Sequence, residues 1–264
     1  MPHMVAAQNF TSAEVEHMRE AGQILAGLYR DVRKEVVEGA TPKDIDAWFA
    51  REIKERGAHA TYLDPDVNFP GVICISVNDT VVHGVPTDIP FEKGDVISFD
   101  LVIDVAGMKA DSAFTMLTDD EKPTGAKKML IHTTEKSLYA GIDAVKHAIK
   151  SGDDFVRMGD IGAAVETVLK RERLGVVRDL VGHGIGRAMH EEPDIPNYGR
   201  RGTGIAVPVG NAIAIEPMAT LGTWKVAYTG DGWTIKTRDG SLAAHFEHTL
   251  LLHPDHVEII TKLH

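Results

Sequence analysis

The sequence has 264 residues, 43% of them apolar and 25% charged, with a formal net charge of −11. That size and composition predict a soluble globular chain with a sizeable core, arranged as one large domain or two small ones. The acidic balance argues against non-specific binding to nucleic acid or an anionic membrane, which needs clustered Lys and Arg. Cys74 is the only cysteine, so an internal disulfide and a four-cysteine zinc site are both excluded and a reducing compartment is expected.

The opening MPHMVAAQNF lacks the basic and apolar regions of a secretory signal, and no apolar run approaches the ~20 residues of a membrane span. TSAEVEHMREAGQILAGLYRDVRKEVVEG then begins with Thr11 and, three residues on, Glu14, a capping box. Val15, Met18, Ile24, Leu25 and Leu28 form the apolar stripe of a helix that Gly39 is expected to end. A second helix follows in TPKDIDAWFAREIKERG, with Thr41 as N-cap, Pro42 in the first turn and Gly57 as stop. Strands are predicted in VICISV, VISFDLVIDV and MKADSAFTML.

The second half repeats this order. KKMLIHTTEKSLYAGIDAVKHAIKSG and GDIGAAVETVLKRERLG read as helices, and NAIAIEPM, GWTIKT and LAAHFEHTLLL as strands. Two helices followed by strands, twice, predict a pseudo-duplicated α+β fold with a site between its halves. The expected organisation is one domain, 1–264, with halves at about 11–120 and 121–264 and a short extension at 1–10.

ISFDLVIDVAGMKADSAFTM carries two acids in its arms. A turn at DVAG (104–107) would set Asp100 directly opposite Asp111, with Ile97, Phe99, Leu101 and Ile103 sharing the other face with Met108, Ala110 and Phe114. Like charges so placed repel. Three arrangements relieve them: both acids face solvent, one stays protonated, or a cation sits between them.

Other segments favour the cation. In VGHGIGRAMHEEP, His183 lies between two glycines that allow close backbone approach and unusual dihedrals. The spacing to His190 fits neither an HExxH zinc helix nor a phosphate loop. Glu216 follows alternating Ala and Ile in AIAIEPM, and Glu247 interrupts a strand otherwise fit for burial in AHFEHTLLL. Buried unpaired carboxylates are costly. Four acids and one imidazole carry the charge for two divalent ions, and an oxygen-rich set of this kind suits Mn, Fe(II), Co or Zn.

CISVNDTVVHGVP, ISFDLVIDVAGMKADSAFT, GHGIGRAMHEEP, AIEPM and DGWTIKTRDGSLAAHFEHT, in this order, resemble the motifs of the type I methionine aminopeptidases over nearly the whole chain. The resemblance implies a "pita-bread" fold, a curved antiparallel sheet with helices on its outer face and a dinuclear site between pseudo-symmetric halves. It implies Asp100 as the ligand of one metal, Asp111 and Glu247 as bridges, and His183 and Glu216 as the remaining ligands, with Glu216 also the general base. His83 falls at the family position near the substrate amine and scissile amide, and His190 at the one contacting the substrate carbonyl. The implied cofactors are two divalent ions drawn from Co, Mn, Fe, Zn or Ni.

The implied activity is removal of N-terminal methionine by a metal-bridging water, preferring a small second residue. The family's methionine pocket maps onto Cys74, Phe69, Trp233 and Met189, with two departures: Met189 stands where Phe is frequent, and Asp66 where Tyr is common. Both departures bear on substrate preference; Met can refill aromatic volume. A prolidase or aminopeptidase P, or a creatinase-like enzyme, is disfavoured because about 70 residues precede CISVND, too few for their extra N-terminal domain. A non-enzymatic binding protein is disfavoured by retention of all five ligands. The implied partners are nascent chains beginning with Met, met near the ribosome by a cytoplasmic monomer that binds neither nucleic acid nor membrane.

Overall fold

A computed structural model describes residues 3–263; the first two residues of the expected N-terminal extension and His264 lie outside the described residues. Helix α1 (Ser12–Val32) starts at the predicted capping box, with the Thr11 side chain on the Glu14 N–H and the Glu14 side chain on the Thr11 N–H. Met18, Leu25 and Leu28 are fully buried, while Val15 and Ile24 flank the core half-buried. The helix stops at Val32, seven residues before Gly39. Beyond it the backbone has other partners: Val36 C=O accepts from Asp119 N–H, and Gly39 N–H donates to Phe91 C=O. β-branched Val36 and Val37 also resist helix. Helix α2 (Pro42–Glu55) keeps its predicted cap and Pro start. In the second half, α3 (Gly125–Lys150) and α4 (Met158–Arg171) are separated by the short strand Phe155–Arg157, and the other strands of that half follow α4.

One large antiparallel sheet runs through both halves. Its order is His59–Ala60, Val96–Val105, Met108–Leu117, Glu247–Leu252, Ala212–Ile215, Gly182–Gly184 and Glu191–Ile195; Cys74–Val77 also pairs with Val96–Val105, and Val257–Ile259 with Glu247–Leu252. The two arms of the predicted hairpin form as expected, but its register differs. Asp100 faces Ala113, and Asp111 faces Val102. The turn is the pair Ala106–Gly107, one residue on from the expected centre and both at positive φ, a twisted two-residue connection that matches the strand twist. Asp104 therefore meets Lys109, and their side chains pair at 2.7 Å. The shift is two residues, so both acids keep their face but become diagonal rather than opposed neighbours.

The other face of the hairpin is the core. Phe99 stacks on Phe114 at 5.3 Å, Phe114 meets Tyr29 of α1 at 4.6 Å, and Phe99 lies 6.3 Å from Phe49 of α2. Tyr29 Oη also donates to Ser112 C=O at 2.5 Å, which fixes α1 on the sheet. Helices cover one face of the hairpin, and its acids are left on the other.

Two predicted strands are each broken. NAIAIEPM splits into Ala212–Ile215 in the large sheet and Met218–Thr220 in a small one. LAAHFEHTLLL splits into Ala243–His245 and Glu247–Leu252. The pieces pair in two sets, Ala212–Ile215 with Glu247–Leu252 and Met218–Thr220 with Ala243–His245. Both chains thus change sheet at the same level, beside Glu216 and Glu247. GWTIKT is strand only over Ile235–Thr237.

The α1 cap has a second task. Arg187, in the loop after His183, donates from Nε to Glu14 Oε1 at 2.6 Å and from Nη2 to Glu14 Oε2 at 2.9 Å. The Arg187 contact, helped by the Thr11 N–H, pulls Glu14 from 4.5 down to about 2. A depressed carboxylate contributes stability above its unfolded pKa and loses it as pH falls through its folded pKa. Glu14→Gln is therefore expected to lower the melting temperature at pH 7, and the gap from the parent should close between pH 4.5 and pH 2. A gap unchanged at pH 2 in paired thermal melts would contradict this linkage.

Candidate metal centre

Sheet register alone gathers the five predicted ligands. Cys74, Asp100, Ala113 and Glu247 form one row across four neighbouring strand segments. Side chains alternate along a strand, so Asp111, two residues before Ala113, shares their face. Ile215 pairs with His248, which brings Glu216 level with Glu247, and His183 pairs with Ala214, two residues before Glu216. Small Ala113 and Ala214 fill the intervening places and leave room between the longer side chains.

Local structure explains how His183 reaches this face. A Cβ on Gly182 would lie 2.3 Å from Ala214 C=O, and one on Gly184 2.4 Å from Glu192 C=O. The two glycines thus serve close strand approach; neither has positive φ. His183 Nδ1 is 2.9 Å from Gly184 C=O, so Nδ1 carries the proton and donates. The Nε2 lone pair then points at two carboxylates, Asp111 Oδ2 at 3.7 Å and Glu216 Oε1 at 3.6 Å. Lone pairs facing one another without a proton are repulsive unless a cation lies between them, and a histidine with its other nitrogen on a backbone carbonyl is the usual form of a metal ligand.

Burial sharpens the conflict. Asp100, Asp111, His183 and Glu247 are all buried. Among the described residues, Asp111 Oδ1 and Glu247 Oε1 have no hydrogen-bond partner. Burial, then the neighbouring carboxylates, push Asp111, Glu216 and Glu247 well above the usual carboxylate range. Asp100 is raised by burial and held back by His245 and by Tyr62, whose hydroxyl donates to Asp100 Oδ1 at 2.9 Å. Burial lowers His183 to about 3, so the imidazole is a neutral donor rather than a counter-ion. One atom each from Asp111, His183 and Glu247 lies within 4.8 Å of the other two. The donor set therefore fits divalent cations.

The cluster floors a cavity of about 110 Å³ lined also by Tyr62, Val67, Phe69, Cys74, His83, Met189, His190 and Trp233. All the expected pocket residues are there. Phe69 meets Trp233 edge-on at 5.3 Å and tilts against Tyr62 at 5.4 Å, with Cys74 and Val102 completing an apolar cluster and Met189 packed on it. His183 and His190 stand edge to face at 4.3 Å, with His190 exposed at the rim. His83 sits at φ 55°; burial, then His245 and His190, lower it to about 4. A roomier groove of about 560 Å³ lies beside Asn78, Thr87 and Lys236, but among the described residues no metal-binding group forms there.

Tyr62, Val67 and His245 went unread in the sequence. Tyr62 lines the cavity, while Asp66 is exposed to solvent; no periodicity marked Tyr62. His245 lies with its Nε2 3.5 Å from Glu216 Oε2. Its signal was present, since it stands two residues before Glu247 in one apolar run.

Residues 16–254 match metallopeptidase family M24. The chain is 38% identical over 249 residues to the methionine aminopeptidase of Mycoplasma capricolum, covering 94% of this chain and 96% of that one. It is 37% identical to methionine aminopeptidase 1 of Bacillus subtilis, covering 96% and 98%. The crystal structure of the methionine aminopeptidase from Thermotoga maritima superposes with a TM-score of 0.89 at 36% identity, covering 98% of this chain and all of that one. Its curled antiparallel sheet flanked by helices is the pita-bread fold. The matched segment spans every element that supplies the centre, and the chain belongs to metallopeptidase family M24.

Proposed function

We propose that this chain is a metal-dependent methionyl aminopeptidase that removes the N-terminal methionine from nascent proteins and peptides. The observation that carries the reading is the face of Asp100, Asp111, His183 and Glu247, all buried, with half-buried Glu216 beside them and two carboxylate oxygens lacking partners among the described residues, set against the apolar cluster of Tyr62, Phe69, Cys74 and Val102. Those five side chains would hold two divalent ions, Asp100 serving one, Asp111 and Glu247 shared, and His183 and Glu216 completing the set. When bound, the ions balance the four carboxylate charges, polarise a carbonyl and acidify a water.

The remaining tasks fall to this chain's own groups. Phe69, Tyr62, Trp233, Cys74 and Met189 take the methionine side chain and exclude water around it. Water adds to the carbonyl of the first residue, and Glu216 accepts its proton. His190, at the rim beside His183, donates to the developing carbonyl oxygen. The adduct collapses as the scissile C–N bond breaks, and the leaving amine takes the proton held by Glu216, relayed by His83, which lines the cavity and is kept neutral by burial. Preference for a small second residue rests on the family resemblance.

No described helix is long and apolar enough to cross a membrane. With the single reduced Cys74, we read the chain as one cytoplasmic catalytic unit, a monomer that meets its substrates as they leave the ribosome.

Protein stripped with a chelator should cleave nothing, and added Mn, Co or Fe should restore release of Met from a Met-Ala-Ser peptide. Cleavage of an X-Pro peptide in place of Met release would instead place the chain with prolidase-like enzymes. Asp111→Asn removes a charge from the centre of the cluster and should abolish turnover with every metal; normal turnover would remove Asp111 from the ligand set.

Met189 touches the apolar cluster from the half-buried side. Met189→Phe, a swap between apolar side chains, should retain Met release, since apolar swaps of similar volume are usually tolerated. A change in which first residue is preferred, read by competition between Met, Leu and Phe peptides, would make position 189 a determinant of specificity.

A further inference from the structure

Glu216 has a second imidazole behind it. His245 is fully buried, and among the described residues neither of its ring nitrogens has a hydrogen-bond partner. Its Nε2 lies 3.5 Å from Glu216 Oε2, while Glu216 Oε1 faces His183. Buried ring nitrogens are seldom left unpaired in folded proteins, and an exception calls for a physical reason. The ring does not line the cavity, so it is not placed to touch a substrate. Among the described residues no trio of donor atoms within 4.8 Å includes it, so it is not placed as a ligand either.

The backbone around His245 is fixed. Its N–H donates to Thr115 Oγ1 at 2.9 Å, Thr115 Oγ1 donates to its C=O at 2.8 Å, and it pairs with Met218 across the small sheet. Glu216 is held from its own backbone, with Asn197 Nδ2 donating to its C=O at 3.0 Å. The two side chains therefore meet across the level at which both strands change sheets. A shortening of about half an ångström would bring Nε2 and Oε2 into ordinary hydrogen-bond range.

We propose that His245 is a positioning residue for Glu216, donating from Nε2–H to Oε2 and thereby holding the carboxylate with Oε1 turned towards His183. Carboxylates that bind metals are commonly oriented by such outer hydrogen bonds, and losing one typically costs about 10- to 100-fold in metal affinity or activity. The inference rests on the reading of Glu216 as a metal-binding residue.

The test compares His245→Gln and His245→Leu with the parent. The Gln side-chain amide places a donor where imidazole Nε2 stands, whereas Leu fills the space without one. Metal-free proteins are titrated with Mn(II) by calorimetry. His245→Leu should bind about 10- to 100-fold more weakly, with the melting temperature of the metal-free protein preserved, and His245→Gln should restore most of the affinity. Parent-like binding by His245→Leu, or equal loss in both variants, would overturn the role of the donor. Failure of the parent itself to take up metal would overturn the metal centre, and this inference with it. A measurement on the parent alone covers a variant that does not fold. In the zinc-loaded protein, the ¹⁵N shifts of His245 should show a protonated Nε2; a bare Nε2 would overturn the proposal.

Discussion

Four carboxylates, Asp100, Asp111, Glu216 and Glu247, are gathered on one face of one sheet, around an imidazole that offers them a lone pair rather than a proton. Two unit charges within 4.8 Å, as Asp111 and Glu247 are, repel by about 3–4 kcal/mol at an effective dielectric near 20. Several such pairs approach the whole stability of a domain, about 5–15 kcal/mol. The cluster can hold protons or cations, but it cannot stand fully ionised by itself. A hydrophobic replacement would relieve the strain more cheaply, so the acids are best explained by what they bind.

The fold supports that cluster by separating the faces of the hairpin. Phe99, Phe114 and Tyr29 tie one face to α1 and α2, and the rigid aromatic packing lets the opposite face carry unfavourable charge. The two strand breaks add a second constraint. Glu216 and Glu247 stand where their chains pass from the large sheet to the small one, so their side chains are aimed by pairing on both sides of the break. Tyr62 joins the charged floor to the apolar wall, with its hydroxyl on Asp100 and its ring on Phe69. The juxtaposition of a cation-binding floor and an apolar pouch suits a substrate with a polar terminus and one apolar side chain.

Much of this was legible in the sequence, and the parts that were not share a cause. Local signals held: the capping boxes at Thr11 and Thr41, the Pro42 start and the arms of the hairpin all appear where the residues place them. The face of each acid was legible because period-two alternation survives a register shift of two. The register itself was not. A DVAG turn and an Ala106–Gly107 turn fit the same residues, and only the paired strands choose between them. The end of α1 was set by hydrogen bonds from residues some 50 to 80 positions away, to Phe91 and Asp119. Tyr62 and His245 entered the site through tertiary placement, and the strand breaks beside Glu216 and Glu247 were hidden in runs that read as continuous.

We propose that five side chains on one sheet face share two ions. Anomalous diffraction from crystals grown with Mn(II) tests it directly. Two peaks are predicted, both bounded by Asp111 and Glu247, with Asp100 on one and His183 and Glu216 on the other. A single peak at saturating metal, or peaks away from these carboxylates, would contradict the account.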